Sequence, residues 1–232
     1  MKSLNKNTDP ACETPEWFNA SYARHVKRRT VPEGATVVDV GAIVEVVGLE
    51  DLQALLRAAR IKRQSADRSE PYLILSRRAY ARLLRAIRQA YGPASRGILN
   101  RIGRIAFRHF VEERAEDMAA ISIALRLMPL QARKVFILRV VARTLNEQNQ
   151  RDAVHLEEEK GRLMLVSDEC STCQHITSDE PVCWHSVGFI EEALQWATGQ
   201  EFRVEETACR AQGHPACHFV VAREPNAQLN LA

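Results

Sequence analysis

The chain has 232 residues, 46% of them apolar, with 32 Lys and Arg against 29 Asp and Glu and a formal charge of +3. Ten Gly and nine Pro exclude a collagenous or low-complexity chain, and the length suits one domain with extensions or two small domains. No window approaches the roughly 18 uninterrupted apolar residues of a membrane helix, and the polar start MKSLNKNTDP has no apolar signal core, so a soluble, cytoplasmic protein is expected.

In chain order, residues 1–33 read as a flexible basic tail, with Pro10, Pro15 and Pro32 and the run Arg24, His25, Lys27, Arg28, Arg29. Residues 34–70 form an N-terminal extension. Its Val- and Ile-rich stretch from Thr36 to Val47 predicts a strand, which Gly48 breaks. Glu50 to Ile61 has helical spacing at Leu52, Leu55, Leu56 and Ala59, and residues 62–70 read as a polar linker. Four helices follow. Ser76 is a good N-cap for a helix running to Tyr91, with Tyr80, Leu83, Leu84, Ile87 and Tyr91 on its apolar face and Arg77, Arg78, Arg82, Arg85 and Arg88 largely opposite. Gly92-Pro93 ends it. Ala94 to Glu113 turns Ile98, Leu99, Ile102, Ile105, Ala106 and Phe110 inward. Gly97 and Gly103 within it each cost about 1 kcal/mol relative to Ala and point to close packing against a neighbour or a ligand. Residues 115–127 and 130–147 complete the helical part. The period then changes. Ala153 to Asp168 predicts two strands around Glu159-Lys160-Gly161-Arg162. Pro181 to Thr198 is an amphipathic helix with the stripe Val187, Ile190, Leu194, Ala197 and a C-cap at Gly199. Residues 201–208 and 216–222 predict two more strands. The fold expected is α+β: helices first, then a small antiparallel sheet with a crossing helix. Residues 223–232 form a polar C-terminal tail.

Charge is unevenly spread. Residues 1–150 hold 26 basic and 15 acidic side chains, the remainder 6 and 14. Such asymmetry fits either a nucleic-acid partner for the basic part or two halves that attract each other within one fold or across a homodimer. The first possibility makes a DNA-binding regulator one alternative function. The balance of motifs disfavours nucleic acid as a partner.

Cysteine is equally uneven: Cys170, Cys173, Cys183, Cys209 and Cys217 lie in the last third. Clustered cysteines in a reducing compartment read first as metal ligands or redox groups. Cys209 and Cys217 fall at one end of the last hairpin. Glu206 joins them only if a bulge changes the strand phase, because strict alternation puts it on the opposite face. Cys183 opens the amphipathic helix, whose N-terminus favours a thiolate. Three thiolates and a carboxylate fill a tetrahedral zinc site with no open position, which would be structural. Its net charge of −2 calls for Arg or backbone N–H groups around it. Cys170 and Cys173, with His175 nearby, form a separate C-x-x-C that could supply two ligands instead or act as a redox pair. Buried, reduced, metal-free cysteines are the plain alternative to all of these. His185, His214 and His218 read mostly as surface or loop positions.

The stretch from Cys170 to Val221 resembles the 4-vinyl reductase domain family. The resemblance rests on Cys170/Cys173, Pro181-Val182-Cys183, Gly188, Glu191, Thr198-Gly199, Glu206-x-x-Cys209, Gly213 and Cys217-x-Phe219, and more faintly on ILNRIGRIAF upstream. It extends over residues 71–222 and implies a ligand-binding domain with a four-stranded antiparallel sheet. It also implies a structural zinc ion on Cys183, Glu206, Cys209 and Cys217. Functionally it implies a sensor or carrier of a hydrophobic, aromatic or tetrapyrrole compound. The charge asymmetry adds the expectation of a homodimer, and because no P-loop or helix-turn-helix effector is visible, a sensor would signal through a regulatory protein partner or through the first 70 residues. An accessory factor or reductase of bacteriochlorophyll synthesis is an alternative, so the resemblance leaves enzymatic activity open. The apolar helices 94–147, with Phe107, Phe110, Met118 and Met128, are the candidate cavity walls. The resemblance assigns no individual ligand-contacting residue.

Overall fold

The computed structural model describes residues 32–62, 71–149, 151–159 and 161–225. The basic tail up to residue 31, most of the 62–70 linker, Lys160 of the predicted turn and the tail from 226 lie outside the described residues.

The run from Thr36 to Val47 is not one strand. It divides at Asp39 into β1 (Ala35–Asp39) and α1 (Val40–Val47). Asp39 is extended, and its Oδ1 accepts the Ala42 N–H at 2.8 Å, so it caps a helix that the β-branched composition disguised. Burial of Val40, Ala42 and Ile43 outweighs their modest helix propensity. The strand β1 pairs antiparallel with β2 (Tyr72–Ser76), from Ala35 opposite Ser76 to Asp39 opposite Tyr72. This second strand is not foreseen from the sequence. Between them lies α2 (Leu49–Ala58), which buries Leu52, Leu55 and Leu56.

Ser76 then caps α3 (Arg77–Tyr91), its Oγ accepting the Ala79 N–H at 3.2 Å, and Gly92 ends the helix with φ 51°. Arg77 departs from the expected exposed face. It is buried and reaches Glu169 at 3.2 Å. Next come α4 (Ser95–Glu113), α5 (Ala115–Arg126) and α6 (Leu130–Asn149). Strands β3 (Val154–Glu159) and β4 (Arg162–Ser167) form the predicted hairpin. Helix α7 (Trp184–Thr198) begins three residues later than expected and ends at Gly199, which is left-handed. Strands β5 (Val204–Ala208) and β6 (Cys217–Val221) complete an antiparallel sheet of order β3-β4-β6-β5. The protein is thus α+β, with helices first and the sheet after. One continuous core links the helices to the sheet, and Phe107, Phe110 and Met118 are packed within it.

Helix α7 crosses α4 with the two backbones in contact. A Cβ on Gly103 would lie 2.0 Å from the His185 carbonyl oxygen, and one on Gly188 would lie 1.9 Å from that of Asn100. The crossing therefore needs glycine on both helices. Gly97 faces open space and has no such role. Polar side chains lock the same interface. Arg104 reaches Glu191 at 2.7 Å and Glu192 at 3.2 Å, Arg108 reaches Glu192 at 2.6 Å, and Asn100 donates to Glu191 at 3.0 Å. The basic first part and the acidic last part therefore attract each other inside this fold.

Candidate metal centre

Five cysteines and one glutamate converge from three separate segments. Cys170 and Cys173 come from the loop after β4. Cys183 is the N-cap of α7. Glu206 lies in β5, Cys209 just beyond it, and Cys217 opens β6. The bulge that the alternation argument requires is present: the β5–β6 register shifts between Glu206 and Ala208. This extra residue turns Glu206 and Cys209 to the same side. A single 3-10 turn, Arg210–Gln212, and left-handed Gly213 bring the chain back to Cys217. Cys170 and Cys173 are aimed by two successive turns. Gln174 N–H donates to the Cys170 carbonyl at 3.1 Å, and Ile176 N–H to that of Cys173 at 3.0 Å, with His175 left-handed between them.

None of the six donors is more than 5% exposed. Sulfur–sulfur distances are 3.5 Å for Cys170–Cys183, 3.4 Å for Cys173–Cys217, 3.9 Å for Cys183–Cys209 and 4.0 Å for Cys183–Cys217. Two four-donor groups fall within 4.8 Å: Cys170, Cys173, Cys183, Cys217, and Cys183, Glu206, Cys209, Cys217. The C-x-x-C pair is therefore not separate from the hairpin cysteines but part of the same cluster. No histidine belongs to either group among the described residues. His214 is exposed and His218 half-buried. His185 is half-buried in the first turn of α7, where desolvation lowers its imidazole pKa to about 4.

The buried donors perturb one another's protonation. Burial pushes the Cys183 thiol well above its ordinary value. Hydrogen bonds from neighbouring sulfurs pull Cys170 and Cys209 down. Burial and the adjacent Cys209 raise the Glu206 carboxyl to about 8. Glu206 Oε2 accepts the Cys183 N–H at 2.8 Å, while Oε1 is buried with no partner. An orphaned carboxylate oxygen among thiols is costly unless a cation meets it. The backbone N–H groups expected around a negative cluster are present, since Arg210 N–H also points at Cys217 Sγ at 3.4 Å. Sulfur-rich, buried and closed, these donors fit a metal ion of the zinc type. Tyr80, which the sequence shows only as an apolar-face residue, sits against the cluster. Its hydroxyl is held protonated by burial, with Cys170 and Cys183 adding to the effect.

Residues 164–223 match the family model of the 4-vinyl reductase domain. The resemblance to this family is thereby met over that segment. All six donors fall inside it. Two Methanocaldococcus jannaschii proteins match stretches of this chain. MJ0745 is 34% identical over 59 residues, 25% of this chain and 33% of that protein. MJ0855 is 34% identical over 74 residues, 30% of this chain and 31% of that protein. The chain thus spans about a third of the length of the curated relatives it matches. The fold outside the 4-vinyl reductase segment also has counterparts. The Fe(II) unliganded H-NOX protein from K. algicida aligns with TM-score 0.52 at 10% identity, covering 83% of this chain and 96% of that one. An H-NOX protein from S. oneidensis in the Fe(II)NO ligation state aligns with TM-score 0.50 at 11% identity, covering 78% and 97%. At these identities the likeness is one of fold.

Proposed function

We propose that this chain is a small-molecule-binding module, a sensor or carrier of a hydrophobic, aromatic or tetrapyrrole compound. A structural zinc ion on Cys183, Glu206, Cys209 and Cys217 holds its 4-vinyl reductase part together. The observation that carries this reading is the coincidence of the family match with the donor cluster: the matched residues contain every buried donor. The H-NOX likeness supports it, because a protein with a fold of this kind is described in an Fe(II)NO ligation state.

Zinc bound to four protein donors supplies folding free energy and leaves no position for a reacting water. The chain's own residues do the rest. Cys183 N–H orients the Glu206 carboxylate, and the bulge in β5 presents Glu206 and Cys209 together. Residues 71–222 act as the binding unit, and the N-terminal extension packs on it where its β1 pairs with β2. No described helix is long and apolar enough to cross a membrane, and the module works in the cytoplasm. Exposed Ile123 and Leu127 on and after α5, with Leu130 opening α6, offer apolar contact to a second copy or to a regulatory protein partner.

Native mass spectrometry of the protein, purified without chelator from the organism that encodes it, tests the reading. The expected spectrum shows bound zinc together with an organic adduct. Zinc without any organic molecule, in repeated preparations, overturns the small-molecule part. Cys209→Ser is expected to lose the ion that Cys209 helps to hold and several kcal/mol of stability, since metal binding is coupled to folding. An unchanged unfolding curve in that variant overturns the zinc part.

A further inference from the structure

One tetrahedral ion uses four donors, and this cluster holds six. The two four-donor groups are not independent, because they share Cys183 and Cys217. Resting on the metal reading above, we propose that the centre is binuclear. It takes two divalent cations of the zinc type, bridged by the thiolates of Cys183 and Cys217. Cys170 and Cys173 complete the shell of one ion, and Cys209 and Glu206 that of the other.

Geometry supports a shared edge. Four sulfurs at about 2.3 Å from a tetrahedral ion lie about 3.8 Å apart. The edges on the Cys170/Cys173 side are 3.5 and 3.4 Å, the edge to Cys209 is 3.9 Å, and the common Cys183–Cys217 edge is 4.0 Å. The Cys209 edge and the common edge lie slightly above that value and the two Cys170/Cys173 edges slightly below it, so each side needs only a few tenths of an ångström of adjustment to close on an ion.

Donor accounting points the same way. A single ion on Cys183, Glu206, Cys209 and Cys217 leaves Cys170 and Cys173 buried against two metal-bound thiolates. A single ion on the four-cysteine set leaves Cys209 and the Glu206 carboxyl buried without a cation, and Oε1 of Glu206 already lacks any partner. Two ions use every donor. Five thiols and one carboxyl release six protons, and six negative charges against two dications leave a net charge of −2. That equals the charge of the single-ion site with two neutral thiols, so the second ion adds no charge to the interior.

The C-x-x-C loop is also built for the task. Its two turns place Cys170 and Cys173 side by side at the expense of a left-handed His175, a conformation disfavoured for a residue with a Cβ. Thr172 Oγ1 lies 3.0 Å from Ser186 Oγ in the first turn of α7, and Ser178 N–H donates to the Ala211 carbonyl in the hairpin. The loop is thereby tied to both elements that carry the other donors.

The test is metal stoichiometry of the full chain by elemental analysis, paired with ¹¹³Cd NMR of the cadmium-substituted protein. The proposal expects two ions per chain and two cadmium resonances coupled to each other through the bridging sulfurs. The Cys170→Ser/Cys173→Ser double variant is expected to keep one ion. One ion in the wild type, retained by the double variant, overturns the second ion and leaves the single-zinc reading standing. One ion in the wild type, lost in the double variant, overturns the binuclear centre and also moves the ion to the four-cysteine set. No metal in the wild type overturns both readings. The wild-type stoichiometry and spectrum decide the question even if the double variant fails to fold.

Discussion

Replacing Gly188 with Ala puts a methyl group 1.9 Å from the Asn100 carbonyl oxygen, 2.7 Å from its carbon and 3.0 Å from its Cα. All three are backbone atoms of α4, so no rotamer change relieves the overlap. Restoring ordinary contact at 3.4 Å requires α4 and α7 to part by about 1.5 Å. Gaps of this order forfeit much of the dispersion attraction between facing atoms, and overpacking of this kind costs roughly 1–3 kcal/mol. The movement also stretches the Arg104–Glu191 and Asn100–Glu191 contacts at 2.7 and 3.0 Å, where hydrogen bonds to charged groups are worth about 1.5–3 kcal/mol. Against this stands a gain of about 1 kcal/mol in helix propensity. The expected net loss is about 3 kcal/mol. It should be read as a fall in the urea midpoint at unchanged m-value. Gly97→Ala on α4, where the new Cβ meets nothing within 4 Å, is the control and should raise the midpoint. Adding Gly103→Ala to Gly188→Ala should cost less than the sum of the two, because the first displacement makes room for the second. A Gly188→Ala midpoint at or above that of the wild type refutes the close backbone crossing.

Two further outcomes follow from local structure. His109 on α4 lies 2.8 Å from Asp39 and 2.7 Å from Glu45. Burial lowers its pKa, but hydrogen bonds and charge from those two carboxylates outweigh this and raise it above 6.5, while burial raises that of Asp39, with Glu113 adding to it. The folded state therefore holds these protons more tightly than the unfolded one. The His109 contribution is complete below pH 6.5 and is lost as pH rises through the folded value. Urea midpoints should fall between about pH 6 and about pH 8, and His109→Gln should flatten that slope. An equal slope in the variant removes His109 as its source. Ser76→Ala, which removes the α3 cap, should cost about 1 kcal/mol in the same assay, and no measurable change would mean that solvent replaces the bond.

Much of this architecture is written in short-range signals. Ser76, Gly92 and Gly199 mark helix ends because capping is a property of one residue and its next few neighbours. The bulge beside Glu206 follows from a period of two and the demand that Glu206 and Cys209 share a side. What escaped the sequence is non-local. The five residues of β2 have no readable partner, because β1 lies a linker and two helices away. Asp39 looks like an interruption in a Val-rich strand until its carboxylate is seen on the Ala42 N–H. Gly103 is visible as a helical glycine, yet its reason is Gly188 and His185 on another helix. The segment between β4 and α7 has no periodicity at all. Spacing therefore could not tell that Cys170 and Cys173 fold back onto Cys183 and Cys217, rather than standing as a separate pair.

The charge asymmetry and the donor cluster meet on a single helix. The N-cap of α7 is Cys183, a donor shared by both four-residue groups. Just inside the helix the backbone at His185 presses on Gly103 of α4, and Gly188 presses back on Asn100. Beyond that, Glu191 holds Arg104 of α4 with one carboxylate oxygen and accepts the Val204 N–H of β5 with the other. Helix α7 is therefore joined to α4 by backbone contact and to the β5–β6 hairpin by Glu191 and Cys183. Packed backbones have no room for gradual adjustment. Any displacement of α4, by a bound molecule or by a substitution, must carry α7 with it or break the glycine crossing. If α7 moves, Cys183 moves, and the geometry of the donor cluster changes with it. The same contacts run in reverse: where Cys183 is held, the N-terminus of α7 is held, and through it the position of α4.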